Sequence, residues 1–546
     1  KSFIMRMFIK DKILKDFKNN FAIIVPSKAL INEVSSNLIN ELQNLLVEKN
    51  YRIITSAGSV ALEQEHNYIF ILTPERLLYT LIKYEELLID YIFIDEAQKI
   101  SEKDSRSAFY YKVVDMLIQK RNKPKFFFAS PNIPNPEVFL KLISKTESNS
   151  LSTMYSPVSQ LKYLFDYEEY LSFIYNEKSQ EFVQIGNTLN FDDLLQKFYK
   201  ENSSTIVYVN SKDKAISMAQ NFASKLREQQ DEELVDFSKE IVSSIHEDYY
   251  LANLVLKGVA FHIGYLPSNI RQKLESLYKQ KKIKIMFCTS TLVEGVNLPA
   301  DNLFITSYKR GRKKFSPVEF KNLIGRVGRI EYNLYGHVFF VRLDKNTSSN
   351  TYKNLIQEDV PMQKLSIISE LNFEDKNIII ENLLNGCIEI QKSFFDNGKY
   401  GLIRKFTLIL LRDIMKNRYS VVREYFSDVL TEKEENKIRD IFNKKEAKPD
   451  DDITTSVDQT NSLISSIKDG LEYPSLDNNR NAKYQDVLDF LIKLNKIFKW
   501  EIYENEELNN TNKLRWYATL LCQWIEGKGL QNLLQQQFIT LKKKCV

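Results

Sequence analysis

The sequence has few cysteines, glycines and prolines, and it has no long hydrophobic run. Of its 546 residues, only 4 are cysteine, 15 are glycine and 13 are proline. The cysteines are far apart and form no Cys-x-x-Cys pair, which argues against a disulfide framework and structural zinc and favours a reducing compartment. No stretch reaches ~18 uninterrupted apolar residues. We therefore expect no membrane span and a cytoplasmic location.

The charge balance of the sequence is close to neutral. It has 76 basic and 71 acidic side chains, a net charge of +5, so the basic excess is slight. Such a balance neither requires nor excludes a nucleic-acid partner, because local clustering of cations matters more than the total. The length alone favours several domains with more than one hydrophobic core.

Two regions of the chain alternate strand-like and helix-like patterns. Near-continuous apolar strands that alternate with helices predict an α/β fold with a parallel sheet in each region. We expect 151–200 to be an extended interdomain linker and 346–546 to be mainly α-helical. The first region, 1–150, has apolar runs at 21–26, 51–56, 68–73, 91–96 and 125–130, and the second, 201–345, has them at 204–210, 257–264, 283–290, 302–307 and 336–343.

The fourth run, "YIFIDE", ends in two adjacent carboxylates, Asp95 and Glu96. Acidic residues are common just past strand ends, so the pair alone is a weak signal. Lys1-Ser2 matches the last two positions of a phosphate-binding Gly-Lys-Ser/Thr loop, which opens a helix. The glycines of such a loop would precede residue 1, so we expect the first domain to be truncated within the loop.

These residue types together predict a site that hydrolyses ATP with Mg²⁺. The Lys1 ammonium would hold phosphate oxygens, and the Ser2 hydroxyl and Asp95 carboxylate would hold the metal ion. Glu96 would then polarise the attacking water.

The segment "NLIGRVGRI", 322–330, offers two arginines that follow glycines. The planar guanidinium groups of Arg326 and Arg329 suit the charge that spreads over a γ-phosphate in the transition state. The alternative is a basic helix end with glycines that permit close packing.

Together with "TSTLVEGVNLPADN" (289–302) and "FHIGYLPSNIR" (261–271), these segments resemble the superfamily 2 helicases of the DExH/DEAD type, and specifically the Ski2-like group. Residues 26–30 resemble motif Ia, 73–76 motif Ib and 208–210 motif IV, and Ala129-Ser130-Pro131 stands at the Ser-Ala-Thr motif. The resemblance covers roughly residues 1–345. Three family positions differ: Asn322 replaces a glutamine, Phe261 a histidine, and Pro131 a threonine.

The resemblance implies two tandem RecA-like domains, 1–150 and 201–345, with an ATP site between them. It further implies that 346–546 holds a winged helix and a helical bundle. The side chains that it adds as candidate nucleotide contacts are Gln98, Gly295, Asn297 and Asn322.

The resemblance also implies a single strand of nucleic acid at the ends of the strands of both domains. Hydroxyls, amides and cations make sequence-independent contacts with phosphates. Each such residue alone is also typical of a helix cap or polar loop, and His262 suits a packed core equally well. The candidates are Ser27, Lys28, Thr73, Arg76, Asn210, His262, Thr289, Ser290, Arg310, Arg312 and Lys313.

The segment 306–320 places five cations around Gly311 and resembles the strand-separating hairpin of the family. Tyr308 and Phe315 flank these cations, and we expect them to stack on a base. The alternative is a solvated charged loop.

The resemblance implies an ATP-dependent helicase or translocase that moves 3′ to 5′ on single-stranded or partly duplex DNA or RNA. A second interpretation is an ATP-driven sensor subunit of an antiphage defence complex, such as Hachiman, that restrains or releases a partner nuclease or other effector protein. A third, a scaffold that does not hydrolyse ATP, conflicts with the presence of Asp95, Glu96, Arg326 and Arg329.

Overall fold

A computed structural model gives the architecture of most of the chain, which forms two compact units. The first unit contains 1–131, 135–150 and 362–529, and the second consists mainly of 151–361. No helix in the described part of the chain is long and apolar enough to cross a membrane. The structure describes residues 2–15, 18–58, 62–63, 65–143, 150–151, 158–201, 203–290, 298–311, 313–328, 335–388, 399–478, 481–503, 508 and 511–528.

The first unit is built on a five-stranded parallel sheet with the order β2-β3-β1-β4-β5. The strands are nearly continuous apolar runs because a parallel sheet is covered on both faces. Its strands are β1 (Phe21–Ile24), β2 (Tyr51–Ile54), β3 (Asn67–Leu72), β4 (Tyr91–Asp95) and β5 (Lys125–Ala129).

Helices alternate with these strands. α2 buries one stripe, which includes Leu38, Leu42 and Leu46, against the sheet. Residues four positions apart lie on the same face of a helix, so this spacing is typical of an amphipathic helix. The helices are α1 (Ser2–Leu14), α2 (Lys28–Glu48), α3 (Pro74–Lys83) and α4 (Ser107–Ile118), with short 3₁₀ helices at Ala97–Ser101 and Pro136–Ile143.

The helical region after residue 361 belongs to the same unit as the first sheet. Its described part has one isolated β-bridge, between Leu476 and Ala482. The winged helix expected there stays a prediction. The helices are α12 (Ser366–Glu370), α13 (Phe373–Leu384), α14 (Tyr400–Met415), α15 (Val421–Tyr425), α16 (Glu432–Asn443), α17 (Val457–Lys468), α18 (Tyr484–Phe498), α19 (Trp500–Tyr503) and α20 (Thr511–Ile525).

α4 joins the helical region to the sheet, and it is buried along almost its whole length. Ser107 Oγ lies 2.9 Å from Ser366 Oγ, and the ring of Tyr111 meets that of Phe406 edge to face with centroids 5.0 Å apart. A helix that is buried all round must have partners on every side.

The second unit contains an eight-stranded sheet with the order β10-β11-β9-β12-β15-β6-β7-β8. The strands from β10 to β6 are parallel, and β7 and β8 continue the sheet as antiparallel strands. Its strands are β6 (Ser159–Asp166), β7 (Leu171–Asn176), β8 (Glu181–Asn187), β9 (Thr205–Tyr208), β10 (Val259–His262), β11 (Ile285–Cys288), β12 (Asn302–Ile305) and β15 (Tyr335–Arg342).

In the described part of this unit, the other elements are one small hairpin and seven helices. The hairpin pairs β13 (Lys309–Arg310) with β14 (Lys313–Lys314). The helices are α5 (Phe191–Lys200), α6 (Lys212–Ala223), α7 (Glu232–Ser244), α8 (Tyr250–Val255), α9 (Ser268–Lys279), α10 (Pro317–Ile324) and α11 (Ser349–Gln357).

The parallel first sheet, the mainly parallel second sheet and the helical region confirm the predicted fold class. Within 151–200, the structure shows a more specific arrangement than an extended linker. β6 pairs with β15 over eight residues, and β7 and β8 follow it by short turns. Backbone groups of an extended segment need hydrogen-bond partners, and here the second sheet supplies them.

Two carboxylates are buried together where α4 meets α14. Burial, and then the neighbouring Asp413 carboxylate, raise the pKa of Asp115 from its ordinary 3.8 to about 7. Burial likewise raises the pKa of Asp413, which accepts a hydrogen bond from Ser420. The other charged or polar groups that face the pair are Lys112, Gln119, Arg418 and Arg423.

We predict that Asp115→Asn stabilises the protein at pH 8 and has little effect below about pH 4, where the carboxyl is protonated in both the folded and the unfolded state. Since folding raises the pKa of Asp115, the native state binds the proton more tightly than the unfolded state between about pH 4 and pH 7. The free energy of unfolding therefore falls as the pH rises through that window, and an uncharged asparagine removes this loss. The expected gain at pH 8 is about 1–3 kcal/mol in denaturant unfolding.

Asp359→Asn is the matched control, because the Asp359 side chain is fully exposed. We expect it to leave the pH dependence of unfolding unchanged. An Asp115→Asn variant with the same pH dependence as the parent would contradict the shared burial of the two carboxylates.

Candidate nucleotide and nucleic-acid sites

The carboxyl ends of three neighbouring strands align in the first unit. Ile24 of β1 stands opposite both Leu72 of β3 and Ile94 of β4, and the Val25 N–H donates to the Leu72 carbonyl at 3.0 Å. The residues that follow these strands therefore lie along one edge of the sheet. Ligands of open α/β sheets bind at this edge.

A hydrogen-bonded chain of side chains follows β4. Asp95 is buried, and Glu96 adopts a left-handed backbone conformation with φ 55° and ψ 45°, which is rare outside glycine. Gln98, which is also buried, donates from Nε2 to Glu96 Oε2 at 2.5 Å and accepts from Ser130 Oγ at 2.8 Å. Gln98 therefore holds the Glu96 carboxylate and connects it to the loop after β5.

Ser2 and Asp95 line the same cavity, which has a volume of about 190 Å³. Ser2 begins α1, and Asp95 ends β4. A hydroxyl and a carboxylate are oxygen ligands that suit Mg²⁺, which takes few protein ligands and keeps its waters or binds substrate phosphates. In the described part of the chain, no cluster of three or more His, Cys, Asp or Glu side chains could hold a metal ion. The other residues that line the cavity are apolar, so Ser2 and Asp95 would supply the protein oxygens, and a phosphate and waters would supply the other ligands of Mg²⁺.

Two of the predicted phosphate-contacting hydroxyls are helix caps. Ser27 Oγ accepts from the Leu30 N–H at 3.3 Å at the start of α2, and Thr73 Oγ1 accepts from the Arg76 N–H at 3.4 Å at the start of α3. Arg76 Nη1 donates to the Thr55 carbonyl at 2.7 Å, whereas Lys28 is exposed. The helix starts and Lys28 thus lie at the same sheet edge.

Arg106, which no sequence motif singles out, connects two segments at this edge. Its Nη2 donates to the Pro26 carbonyl at 2.9 Å, and its Nε donates to Glu75 Oε1 at 2.5 Å. Burial raises the pKa of Glu75, but hydrogen bonding and charge from Arg106 outweigh burial, so that pKa lies below its ordinary value. Pro26 lies 80 positions before Arg106 in the sequence, and Glu75 lies 31 positions before it, so only the fold brings the three residues together.

The carboxyl edge of the second sheet also gathers predicted residues. The Val209 N–H donates to the Cys288 carbonyl at 2.9 Å, and the Thr289 N–H donates to the His262 carbonyl at 3.2 Å. Asn210, Thr289 and Ser290 are partly exposed there. His262 is fully buried, with Nε2 3.1 Å from Glu275 Oε1, which favours the packed-core interpretation of this residue.

The basic hairpin forms, but its side chains have different surroundings. Arg310 pairs with Glu319, which also closes a capping box with Ser316 at the start of α10. Lys313 is exposed on β14. The expectation that Phe315 stacks on a base is wrong for this structure, because its ring is 4% exposed and packs against Tyr208 and Phe320.

The turn after α10 carries Arg326, which is partly exposed, and its carbonyl accepts from the Ala300 N–H at 3.3 Å. Asn322 is partly exposed on α10 itself. Gly328 has a φ of +67°, and a Cβ there would lie 2.1 Å from Val158 Cγ1. The predicted site residues that fall outside the described residues are Lys1, Gly295, Asn297, Arg312 and Arg329.

Comparison with known proteins agrees with this geometry. Residues 1–138 match the family described as DEAD/DEAH box helicase, and residues 190–331 match the helicase conserved C-terminal domain. The chain is 28% identical over 194 residues to the ATP-dependent DNA helicase Hel308 of Methanocella arvoryzae. The chain belongs to the superfamily 2 helicases and is similar to their Ski2-like group. In this Ski2-like chain, the first match covers all five strands of the first sheet, and the second covers β9 to β12 of the second sheet.

The relatives of this Ski2-like chain include proteins named for DNA and for RNA. It is 25% identical over 392 residues to the ATP-dependent DNA helicase Hel308 of Methanococcus vannielii, which covers 66% of this chain and 51% of that protein. It is 24% identical over 398 residues to the DExH-box ATP-dependent RNA helicase DExH12 of Arabidopsis thaliana. That alignment covers 67% of this chain and 17% of the relative. The first Hel308 match covers 34% of this chain and 26% of that relative. The Ski2-like chain thus spans about half or less of the lengths of these relatives.

We predict that Gly328→Ala destabilises this Ski2-like chain by about 1–3 kcal/mol, because the alanine would carry both backbone strain and a clash. Denaturant unfolding measures the loss. The Val158→Ala background removes the clash but leaves the strain, so the loss there should be smaller.

Gly311→Ala serves as the control for strain alone, since Gly311 has a φ of +60° and open space around its Cβ position. We expect a smaller loss for Gly311→Ala than for Gly328→Ala. If both variants lost the same free energy of unfolding, the clash with Val158 would not be the reason that a glycine is needed at position 328.

Proposed function

We propose that the protein is an ATP-dependent helicase or translocase that moves along single-stranded nucleic acid. The observation that carries the proposal is a series of side-chain hydrogen bonds from Ser130 through Gln98 to Glu96, beside the buried Asp95. It holds one carboxylate for a metal and one for a water at the sheet edge where ligands bind. The family membership supports the same activity.

Three candidate residues of the first unit have distinct parts in this chemistry. Ser2 and Asp95 would hold Mg²⁺, which would supply positive charge to neutralise the phosphates. Glu96 accepts hydrogen bonds from the attacking water and orients it. The Glu96 N–H donates to Asp95 Oδ1 at 3.0 Å, so the two carboxylates have fixed relative positions. Positioning of this kind is a large part of phosphoryl-transfer catalysis.

Gln98 offers a route from hydrolysis to movement. Its amide bonds Glu96 on one side and Ser130 on the other, and Ser130 follows β5. A change at Glu96 after hydrolysis would therefore alter the loop that contains Ser130 and Pro131. This route passes through the Ser130 side chain and does not require the backbone N–H that Pro131 lacks.

The resemblance assigns the remaining roles. Arg326 and Arg329 stabilise the charge that develops on the γ-phosphate. The polar residues at the carboxyl ends of the strands of both units contact the nucleic-acid backbone. Movement from 3′ to 5′ is part of the proposal, and the choice between DNA and RNA is left to experiment.

The decisive test is the ATPase rate of the full-length protein without nucleic acid, with single-stranded DNA and with single-stranded RNA. We expect one polymer to stimulate the rate about 10-fold or more and Glu96→Gln to reduce the stimulated rate at least about 100-fold, as expected for a group that positions the attacking water. A rate that neither polymer changes would contradict the helicase proposal. That outcome would favour the ATP-driven sensor subunit that controls a partner protein.

We predict that Gln98→Ala lowers kcat for ATP about 10- to 100-fold with little change in KM. The variant loses the hydrogen bond from Gln98 Nε2 to the Glu96 carboxylate. A small misplacement of a group that positions the attacking water is costly in rate. Steady-state ATPase kinetics measure the effect, and Ser130→Ala should lower kcat in the same direction by a smaller factor.

The matched control is Gln280→Ala, which removes an exposed amide that bonds Ser276 at 3.1 Å. Its kcat should equal that of the parent. An unchanged kcat in Gln98→Ala would contradict the positioning role, and an equal loss of thermal stability in both Gln98→Ala and Ser130→Ala would indicate a structural role instead.

A further inference from the structure

Tyr265 is an unusually exposed aromatic residue at the carboxyl edge of the second sheet. Its side chain is 83% exposed. It follows β10 in the turn that leads to α9, so it stands at the edge where open α/β sheets bind ligands.

The turn that presents Tyr265 is firmly anchored on both sides. Ile263 and Leu266 are buried, and the Leu266 N–H donates to the Ile263 carbonyl at 3.3 Å. His262, at the start of the turn, is fully buried against Glu275. The phenol ring thus projects into solvent from an anchored turn. Binding of a ligand to this ring would cost little conformational entropy.

The turn lies beside the polar residues already assigned to the nucleic-acid backbone. The Thr289 N–H bonds the His262 carbonyl, and the Val209 N–H bonds the Cys288 carbonyl. The segments that begin at Asn210, Thr289 and Ile263 therefore run next to one another, in the strand order β9-β11-β10.

A cation accompanies the exposed ring. Lys212 is the first residue of α6, and its Nζ lies 5.2 Å from the centroid of the Tyr265 ring. Ser211 caps that helix, which fixes the start of the lysine stem. The neighbouring charged residues, Asp213 and Lys214, are also exposed. An aromatic face with a cation beside it is the arrangement with which proteins bind a base and its phosphate.

We propose that Tyr265 is a stacking platform for one base of a single-stranded nucleic acid and that Lys212 contacts an adjacent phosphate. This inference rests on the proposed function and adds a subsite to it. Every base has a π-face, so the platform binds without sequence preference. The ring must release Lys212 in part when a base covers it, and the phosphate then becomes the partner of the lysine.

The test is the fluorescence anisotropy of a labelled single-stranded 20-nucleotide oligothymidine or oligouridine, titrated with the full-length protein at several salt concentrations. Loss of one stacked base corresponds to roughly a 5- to 150-fold weaker affinity. We expect Tyr265→Leu to show that loss with an unchanged salt dependence, and Tyr265→Trp to bind at least as tightly as the parent.

Lys212→Gln should act differently from Tyr265→Leu. Affinity for a single strand falls as salt rises. Removal of one phosphate contact makes the slope of log affinity against log salt less steep by about 0.7. Tyr250→Leu is the matched control, because Tyr250 is 55% exposed on α8 in the same unit and has no assigned role. Its affinity and slope should equal those of the parent.

The outcomes separate this inference from the proposed function. A parent protein that binds neither oligonucleotide overturns both. A parent that binds, with Tyr265→Leu equal to it, overturns the stacking platform alone and would favour a contact with a protein. A salt slope that falls in Tyr265→Leu but not in Lys212→Gln also overturns the inference. Thermal unfolding of each variant identifies any loss that comes from misfolding.

Discussion

The in-register pairing of parallel strands is the constraint on which both candidate sites depend. In the first unit, β3, β1 and β4 end level with one another, so residues from three distant parts of the sequence share one edge. In the second unit, β10, β11 and β9 end level in the same way. A parallel strand pair keeps its direction, and every strand therefore delivers its polar carboxyl end to the same side.

A second constraint is the burial of α4 between the first sheet and the helical region. The helix carries a lysine that is fully buried, Lys112, and its ammonium lies 2.9 Å from Asp451. Arg412 binds the same carboxylate at 2.8 Å. Buried charges require partners, so these pairs specify how the helical region sits on α4 within the first unit. The apolar contacts alone would fix this arrangement less uniquely.

Several predicted residues serve the fold before they can serve a ligand. Ser27 and Thr73 cap helices, Arg310 neutralises Glu319, and His262 is enclosed beside Glu275. These residues were predicted to contact nucleic acid, but in the structure their side chains have protein partners. The caps stabilise the helix starts that lie at each edge, and these starts present backbone N–H groups that suit phosphates.

The sequence itself determined the positions of most strands along the chain, the two α/β regions and the Asp95-Glu96 strand end, because hydrophobic period and motif spacing are local properties. The pairing of 159–187 with the second sheet, the burial of Phe315, the contacts of Arg106 and the bridge from Ser130 through Gln98 to Glu96 were decided only by tertiary structure. These features join residues tens to hundreds of positions apart. Their energies depend on which surfaces meet after folding, and a local sequence pattern contains no record of that choice.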